Sequence, residues 1–325
     1  MQVTFIEKAW YTKHPLRWLL YPASCVFRLV TMCRRLYLKR CRQQRFSIPV
    51  IVVGNITVGG VGKTPLVIAL AEQLRARGLR VGIVSRGYGA NVAHFPYDVR
   101  VDDSADFVGD EPLLIAKKTG CPVVIAPIRA QAVHYLLEHH QSQVVVSDDG
   151  LQHYAMGRAV EIVVMDGVRG LGNGLCLPAG PLREGAWRLQ QADFVVVNGA
   201  QWPNAYRMDL RPTAFIHLLS GNPVPISAFF SVPIAAVAGI GNPGRFFQTL
   251  HGLGVLFRAY PFADHHRFQP HELCFEEKVV VMTEKDAVKC RDFATDEMYF
   301  LPVDAVINST FWDALWSHEQ LQGVV

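Results

Sequence analysis

Apolar positions along the chain fall into two periods, and their alternation predicts an α/β protein. A β-type run from Ile48 to Val53 ends at Gly54, and an apolar helical segment (Leu66, Ile68, Ala69, Leu70, Leu74) follows. Arg80–Val84, Cys121–Ala126, Val144–Val146, Glu161–Met165 and Phe194–Val197 read as further strands, with helical segments opening at Asp110 and around Arg129. Short, largely apolar strands alternating with helices imply a mostly parallel sheet covered on both faces. Strand patterns recur at Ile234–Ala238 and Lys278–Met282, with a helix (Phe246, Phe247, Leu250) after the first, which predicts a second, smaller α/β domain. The expected organisation is an arm at 1–45, a first domain at 46–210, a Pro-rich linker at 211–226, the smaller domain at 227–303 and a helical C-terminal segment at 304–325.

The stretch from Leu16 to Leu38 is apolar but interrupted by Arg17, Arg28, Arg34 and Arg35, which is too broken for a membrane span and wrongly built for a signal peptide. At about 100° per residue, Arg17, Arg28, Arg35, Lys39 and Arg42 cluster on one side, opposite Leu19, Pro22, Val26, Val30, Cys33 and Tyr37. Two readings of this helix stand: docking on anionic lipid headgroups, or packing on its own domain with a solvated basic face. Pro22 is expected in the first turn, where a missing N–H costs nothing.

Charge sharpens this picture. Of a net +4 over 325 residues, the first 48 carry +9, from ten Lys or Arg against Glu7, which leaves −5 for the rest. That asymmetry excludes a uniformly basic nucleic-acid binder. With half the residues hydrophobic and 18% charged, an intrinsically disordered chain is excluded too. The seven cysteines contain no C-x-x-C pair, so they read as free thiols in a reducing compartment.

The chemistry starts at the first strand-to-helix loop. Thr57, Val58, Gly59, Gly60, Val61, Gly62, Lys63 and Thr64 match the Walker A pattern except that Thr57 stands in place of the first Gly. Glycines let backbone N–H groups wrap a phosphate, Lys63 reaches the β- and γ-phosphates, and Thr64 offers a hydroxyl to Mg²⁺. The strand at Val144–Val146 runs into Asp148 and Asp149, as a Walker B element does, and one of these carboxylates is expected to hold the metal. The fold expected is therefore a P-loop NTPase-type parallel sheet domain, preceded by an amphipathic helix and followed by a second smaller α/β domain.

Five ordered motifs, Gly54–Pro65 (GNITVGGVGKTP), Ser85–Gly89 (SRGYG), Gly109–Pro112 (GDEP), Ser147–His153 (SDDGLQH) and Leu177–Glu184 (LPAGPLRE), together resemble the tetraacyldisaccharide 4′-kinase family. Ala238–Arg245 (AGIGNPGR), Phe262–His265 (FADH) and Thr283–Lys289 (TEKDAVK) agree, and the likeness spans roughly residues 10–290. Thr57 is shared with the family, whereas Gly185 stands where its pattern has Pro. The resemblance implies ATP and Mg²⁺ as cofactors and transfer of the γ-phosphoryl group to the 4′-hydroxyl of an acylated disaccharide 1-phosphate, forming lipid IVA. It implies peripheral attachment to an anionic inner-membrane surface at the cytoplasmic face, with neither nucleic acid nor an obligate protein partner. It further implies Asp110 as the proton acceptor with His265 as its partner, although His266 is equally suited on chemistry alone. Glu184 is expected to assist the metal, and Arg86, Tyr88, Glu111, Arg129, Gln152, His153 and Arg183 are expected near the phosphates or the glycolipid.

Two signals point elsewhere. Gly239–Gly244 is formally G-x-G-x-x-G, with Asp264 about twenty residues on, but a tight strand-to-helix turn with Pro243 at its first helical position is the preferred reading. Thr283–Asp286 faintly resembles a guanine reader, so a P-loop GTPase acting as a regulatory or metal-delivery switch is the rival, with a non-enzymatic ATP sensor as a third reading.

Overall fold

The computed structural model describes residues 9–12 and 14–324. Glu7, Lys8 and Lys13, part of the basic arm, lie outside the described residues. Helix α1 (Leu16–Tyr37) runs into a wide turn at Leu38–Arg42. Pro22 sits inside α1, in its second turn, contrary to expectation. It lies on the exposed side of the helix.

The first sheet has nine strands in the order β15-β8-β7-β6-β1-β5-β2-β4-β3. They are β1 (Val50–Gly54), β2 (Val81–Ser85), β3 (Tyr97–Val99), β4 (Val123–Ile125), β5 (Val144–Ser147), β6 (Val160–Asp166), β7 (Phe194–Asn198), β8 (Tyr206–Pro212) and β15 (Val303–Ile307). The seven from β8 to β4 are mutually parallel, and only the edges β3 and β15 run antiparallel. Strands β1, β2, β5 and β6 are buried throughout, which explains their lack of polar alternation. Helices α2 (Lys63–Ala76), α3 (Ala105–Val108) and α4 (Asp110–Thr119) accompany one core, and α5 (Arg129–His140) accompanies the other.

The second sheet has six strands, ordered β10-β9-β14-β13-β11-β12. These are β9 (Phe215–His217), β10 (Pro223–Val224), β11 (Ile234–Ala238), β12 (Phe257–Pro261), β13 (Val279–Thr283) and β14 (Met298–Leu301). Helices α6 (Pro243–Gly252) and α7 (Glu284–Cys290) belong to this half. The residues expected as linker, 211–226, instead carry the end of β8 and both β9 and β10. Proline is tolerated there because β10 is an edge strand that needs few N–H donors. The C-terminal segment is likewise not simply helical. It first adds β15 to the first sheet, and only then forms α8 (Ser309–Trp316), which buries Phe311 and Leu315 in the first core. The chain thus leaves the first sheet after Pro212 and re-enters it at Val303, and these two residues are paired. Both crossings between the halves therefore lie side by side.

Candidate active site

The phosphate loop is shaped by what it touches. Asn55–Gly62 joins β1 to α2, with Gly59 and Gly62 at φ 104° and 97°, conformations that L side chains rarely adopt. A Cβ on Gly62 would stand 2.5 Å from Asn198 Nδ2, which donates to Val61 O at 3.0 Å. Thr57 forms an isolated antiparallel bridge with Leu182, flanked by Val58 N–H to Pro181 O (2.9 Å) and Arg183 N–H to Ile56 O (2.7 Å). An extended, buried position suits a β-branched residue, which accounts for threonine where the general pattern has glycine. Lys63 Nζ lies 3.3 Å from Asn55 Oδ1 and 3.4 Å from Asp149 Oδ1.

The two acids after β5 have different surroundings. Asp148 is buried, and its Oδ1 has no hydrogen-bond partner. Burial first, then Glu111 and Asp149, pushes its pKa up to about 7. Asp149 takes a left-handed turn at φ 46°. Burial alone would raise its carboxyl, but Lys63 and Arg183 outweigh that and hold it at about 2. An orphaned buried carboxylate oxygen next to the P-loop, with Thr64 lining the same cleft, fits a divalent cation shared with a nucleotide phosphate. No group of three or more His, Cys, Asp or Glu that would hold a metal occurs among the described residues.

Glu184 does not join this set. The Tyr154 hydroxyl donates to its two oxygens at 2.5 and 2.6 Å, and Arg188 Nε lies 3.3 Å away. Arg188 continues to Glu161 (2.9 Å), which also meets Arg158 (2.8 Å), so Glu184 belongs to a buried ionic cluster below the cleft. The expected metal role is corrected accordingly: both its oxygens are already used.

Asp110 opens α4 after Gly109 (φ 95°) and is buried. Across the gap between the halves, His265 Nδ1 lies 3.0 and 3.1 Å from its two oxygens. His265 itself is left-handed (φ 58°), and its ring stands 5.1 Å from that of Tyr88. Burial would raise the Asp110 pKa, but the His265 hydrogen bond and Lys285 bring it below the ordinary value. His265 is raised by the bond to Asp110, against burial and Lys285. His266 points elsewhere, with Nε2 at 3.0 Å from Glu272 in its own domain, so geometry separates two histidines that chemistry did not.

These groups line one cleft of about 1650 Å³ between the halves. That exceeds the usual small-ligand pocket of about 300–1,000 Å³ and leaves room for two substrates. Arg86, Tyr88, Glu111, Arg129, Gln152, His153 and Arg183 all border it. Arg129 is largely its floor: it is buried, donates to Ala126 O and Asp148 O at 3.0 and 3.3 Å, and is lowered by burial to about 10. His153 is driven down to about 3 by burial and then by Arg129 and Arg86, so it is neutral at physiological pH. Gln152 ties the acid turn to the P-loop by donating to Asn55 O (3.1 Å), and Arg183 pairs with Asp149 at 3.4 Å.

Sequence reasoning missed three features. Asn55 sits inside the quoted P-loop motif, but only the structure shows it on Lys63. Lys285, within the Thr283–Asp286 stretch, lies 2.9 Å from Glu111 and 3.4 Å from Asp264. Arg245 and Asn242, in the turn at the start of α6, reach Asp166 of the first domain at 2.6 and 3.3 Å, and Gly241 meets the backbone of Gly60. The Gly239–Gly244 stretch is thus the strand-to-helix turn preferred on sequence, with Pro243 at the start of α6.

A family model described as tetraacyldisaccharide-1-P 4′-kinase matches residues 16–320. The tetraacyldisaccharide 4′-kinase of Legionella pneumophila strain Lens is 56% identical over 319 residues, covering 98% of each chain. That of Azotobacter vinelandii is 49% identical over 312 residues, covering 94% of each. A crystal structure of LpxK from Aquifex aeolicus in complex with ATP superposes with a TM-score of 0.76 at 25% identity, covering 93% of this chain and 98% of that one. With its P-loop, its acid turn and this likeness along nearly its whole length, the chain belongs to the tetraacyldisaccharide 4′-kinase family.

Proposed function

We propose that this protein transfers the γ-phosphoryl group of ATP to the 4′-hydroxyl of tetraacyldisaccharide 1-phosphate, the step that yields lipid IVA in lipid A biosynthesis. The observation that carries the mechanism is the Asp110–His265 pair, held at 3.0 Å in the same cleft as Lys63. Phosphoryl transfer needs mainly positioning and charge neutralisation. The P-loop amides and Lys63 bind the β- and γ-phosphates. Thr64 and Asp148, with Asp149 alongside, are the residues to hold Mg²⁺, which when bound neutralises phosphate charge. Asp110 accepts the proton of the sugar hydroxyl as its oxygen bonds to phosphorus and the β,γ-bridging bond breaks to release ADP. His265, donating from Nδ1, orients the carboxylate and keeps it ionised, ready to accept that proton.

Helix α1 supports a membrane-surface location. The residues it turns toward the body are Leu20, Ser24, Phe27, Thr31 and Arg35, with Ser24 donating to Cys176 O at 2.7 Å. Its outward face carries Trp18, Leu19, Val26, Leu29, Val30 and Leu36, all exposed. A soluble helix buries its apolar face, whereas this one presents it, with Arg28, Arg34, Arg40 and Arg42 exposed alongside. Arg35, assigned to the basic face, packs over Trp187 and Tyr154 at 4.7 and 5.1 Å. No helix among the described residues is long and apolar enough to cross a membrane. We therefore place the protein peripherally on the cytoplasmic face of the bacterial inner membrane, where an anionic surface and an insoluble acylated substrate meet it. The GTPase reading is disfavoured because Asp286 is wholly buried, accepting from Gly239 N–H at 2.8 Å and pairing with Lys289 at 2.6 Å. Incubation with [γ-³²P]ATP and acylated disaccharide 1-phosphate, followed by thin-layer chromatography, tests the assignment. Label is expected in the glycolipid, and absence of labelled lipid with active-site occupancy by ATP confirmed would overturn it.

A further inference from the structure

Lys285, on α7, is a cation that faces both His265 and Asp110, and neither the motif chemistry nor the family resemblance gives it a task. Its Nζ lies 3.4 Å from His265 Nε2, 2.9 Å from Glu111 Oε1, 3.4 Å from Asp264 Oδ1 and 3.9 Å from Asp110 Oδ2. An ammonium group has only protons to offer, so the ring nitrogen facing it must present a lone pair. Asp110, acceptor-only when ionised, meets the other ring nitrogen with both oxygens, so Nδ1 must carry the proton. The neighbours on the two sides of the ring therefore select a single neutral tautomer.

Resting on the proposed Asp110–His265 mechanism, we propose that Lys285 is a positioning residue for proton transfer: it holds His265 as the neutral Nδ1–H tautomer and occupies Asp264, which would otherwise draw a second proton onto Nε2. Asp264 Oδ1 is 3.8 Å from Nε2, beyond hydrogen-bond reach while Lys285 and the His265 backbone N–H (3.1 Å) engage it. Without Lys285 the ring sits between two carboxylates, the setting that favours imidazolium. The charged and titratable groups facing the ring are Asp110 and Glu111 from α4, Asp264 from its own loop, Lys285 and Lys289 from α7, and Tyr88 from the loop after β2. Lys289 stands 4.0 Å from Asp110 and is itself tied to Asp286. Lys285 lowers the pKa of both His265 and Asp110, so its removal shifts both upward, and the acid limb of the rate profile moves to higher pH.

The test combines a spectroscopic and a kinetic readout on the full chain. In ¹⁵N-histidine-labelled protein, long-range ¹H–¹⁵N correlations, with His265 assigned from H265Q, should show Nδ1 protonated and Nε2 free at neutral pH. K285M should show both nitrogens protonated under the same conditions. Its kcat should fall at least about tenfold, a part of the roughly 10²–10⁴ that proton transfer supplies, with KM for ATP within about twofold and the acid limb displaced upward. K285R should recover most of the rate. K118M is the control for a merely structural clasp, since Lys118 joins the same halves through Glu284 at 3.2 Å without approaching the dyad. An unchanged tautomer and acid limb in K285M, or an equal displacement in K118M, overturns the inference. Full turnover by D110N would instead defeat the underlying base assignment, while the tautomer measurement would still report on Lys285.

Discussion

The cleft holds two acidic centres built in opposite ways. Asp148 and Asp149 are adjacent residues at the end of one strand, and their placement needs only β5 and the turn after it. Asp110 and His265 are 155 residues apart, on different sheets, and meet only because the second domain lies against the first. The local centre is electrostatically incomplete: one buried oxygen of Asp148 has no partner. The assembled centre is complete, with Asp110 paired and lysines nearby. An acid awaiting a cation and an acid awaiting a proton are thereby distinguished by their surroundings and not by their side chains.

The largest effect expected in either centre is that of Lys63→Ala, which removes the cation from both the phosphates and Asp149. Turnover should drop by about 10³ or more, as loss of a charge-stabilising donor typically does, with the melting temperature little changed. Asp110→Asn should cost about 10²–10⁴ in kcat, the range of general base catalysis, at nearly unchanged KM for ATP. If Asp110→Asn and Asp148→Asn instead respond alike to added Mg²⁺, the division of labour between the centres collapses.

Replacing Trp18, Leu29 and Val30 together by Ser should abolish flotation with anionic vesicles while leaving ATP binding intact. Unchanged flotation would remove α1 from the membrane-docking role. The smallest effect concerns stability. The Asp148 pKa is raised in the folded state, so its contribution is fully present below the unfolded value and is lost as pH rises, roughly between pH 4 and about 7. In the metal-free protein, Asp148→Asn should therefore raise the melting temperature by a few degrees at pH 8, about 1–2 kcal/mol by analogy with other relieved buried charges, and by almost nothing at pH 4. An equal gain at both pH values would show that Asp148 is not held as a strained carboxylate.

Legibility followed the same division. The P-loop was readable because Gly59, Gly62, Lys63 and Thr64 impose loop geometry and phosphate chemistry within a few residues. The Pro-rich composition around Pro212–Pro225 reads as a linker, yet it contains Phe215 and Val224, which pair in the second sheet. Helical angle alone puts Arg35 on the basic face, yet Trp187 and Tyr154 draw it inward. Glu184 was placed on the metal by resemblance, and nothing adjacent in the chain indicates that Tyr154 and Arg188 claim it first.

What the sequence by itself determined is therefore whatever a short stretch of backbone can encode: the strand–loop–helix that binds phosphate, the acid turn, the amphipathic helix and, through the order of its motifs, the family. Tertiary structure alone decided which of His265 and His266 faces Asp110, where Lys285 lies, that Glu184 is withdrawn, and that the apolar side of α1 faces outward. The reason is physical. Backbone conformation depends on neighbouring residues, whereas the protonation and pairing of a buried side chain depend on every charge packed within a few ångströms, and those charges come from distant parts of the chain.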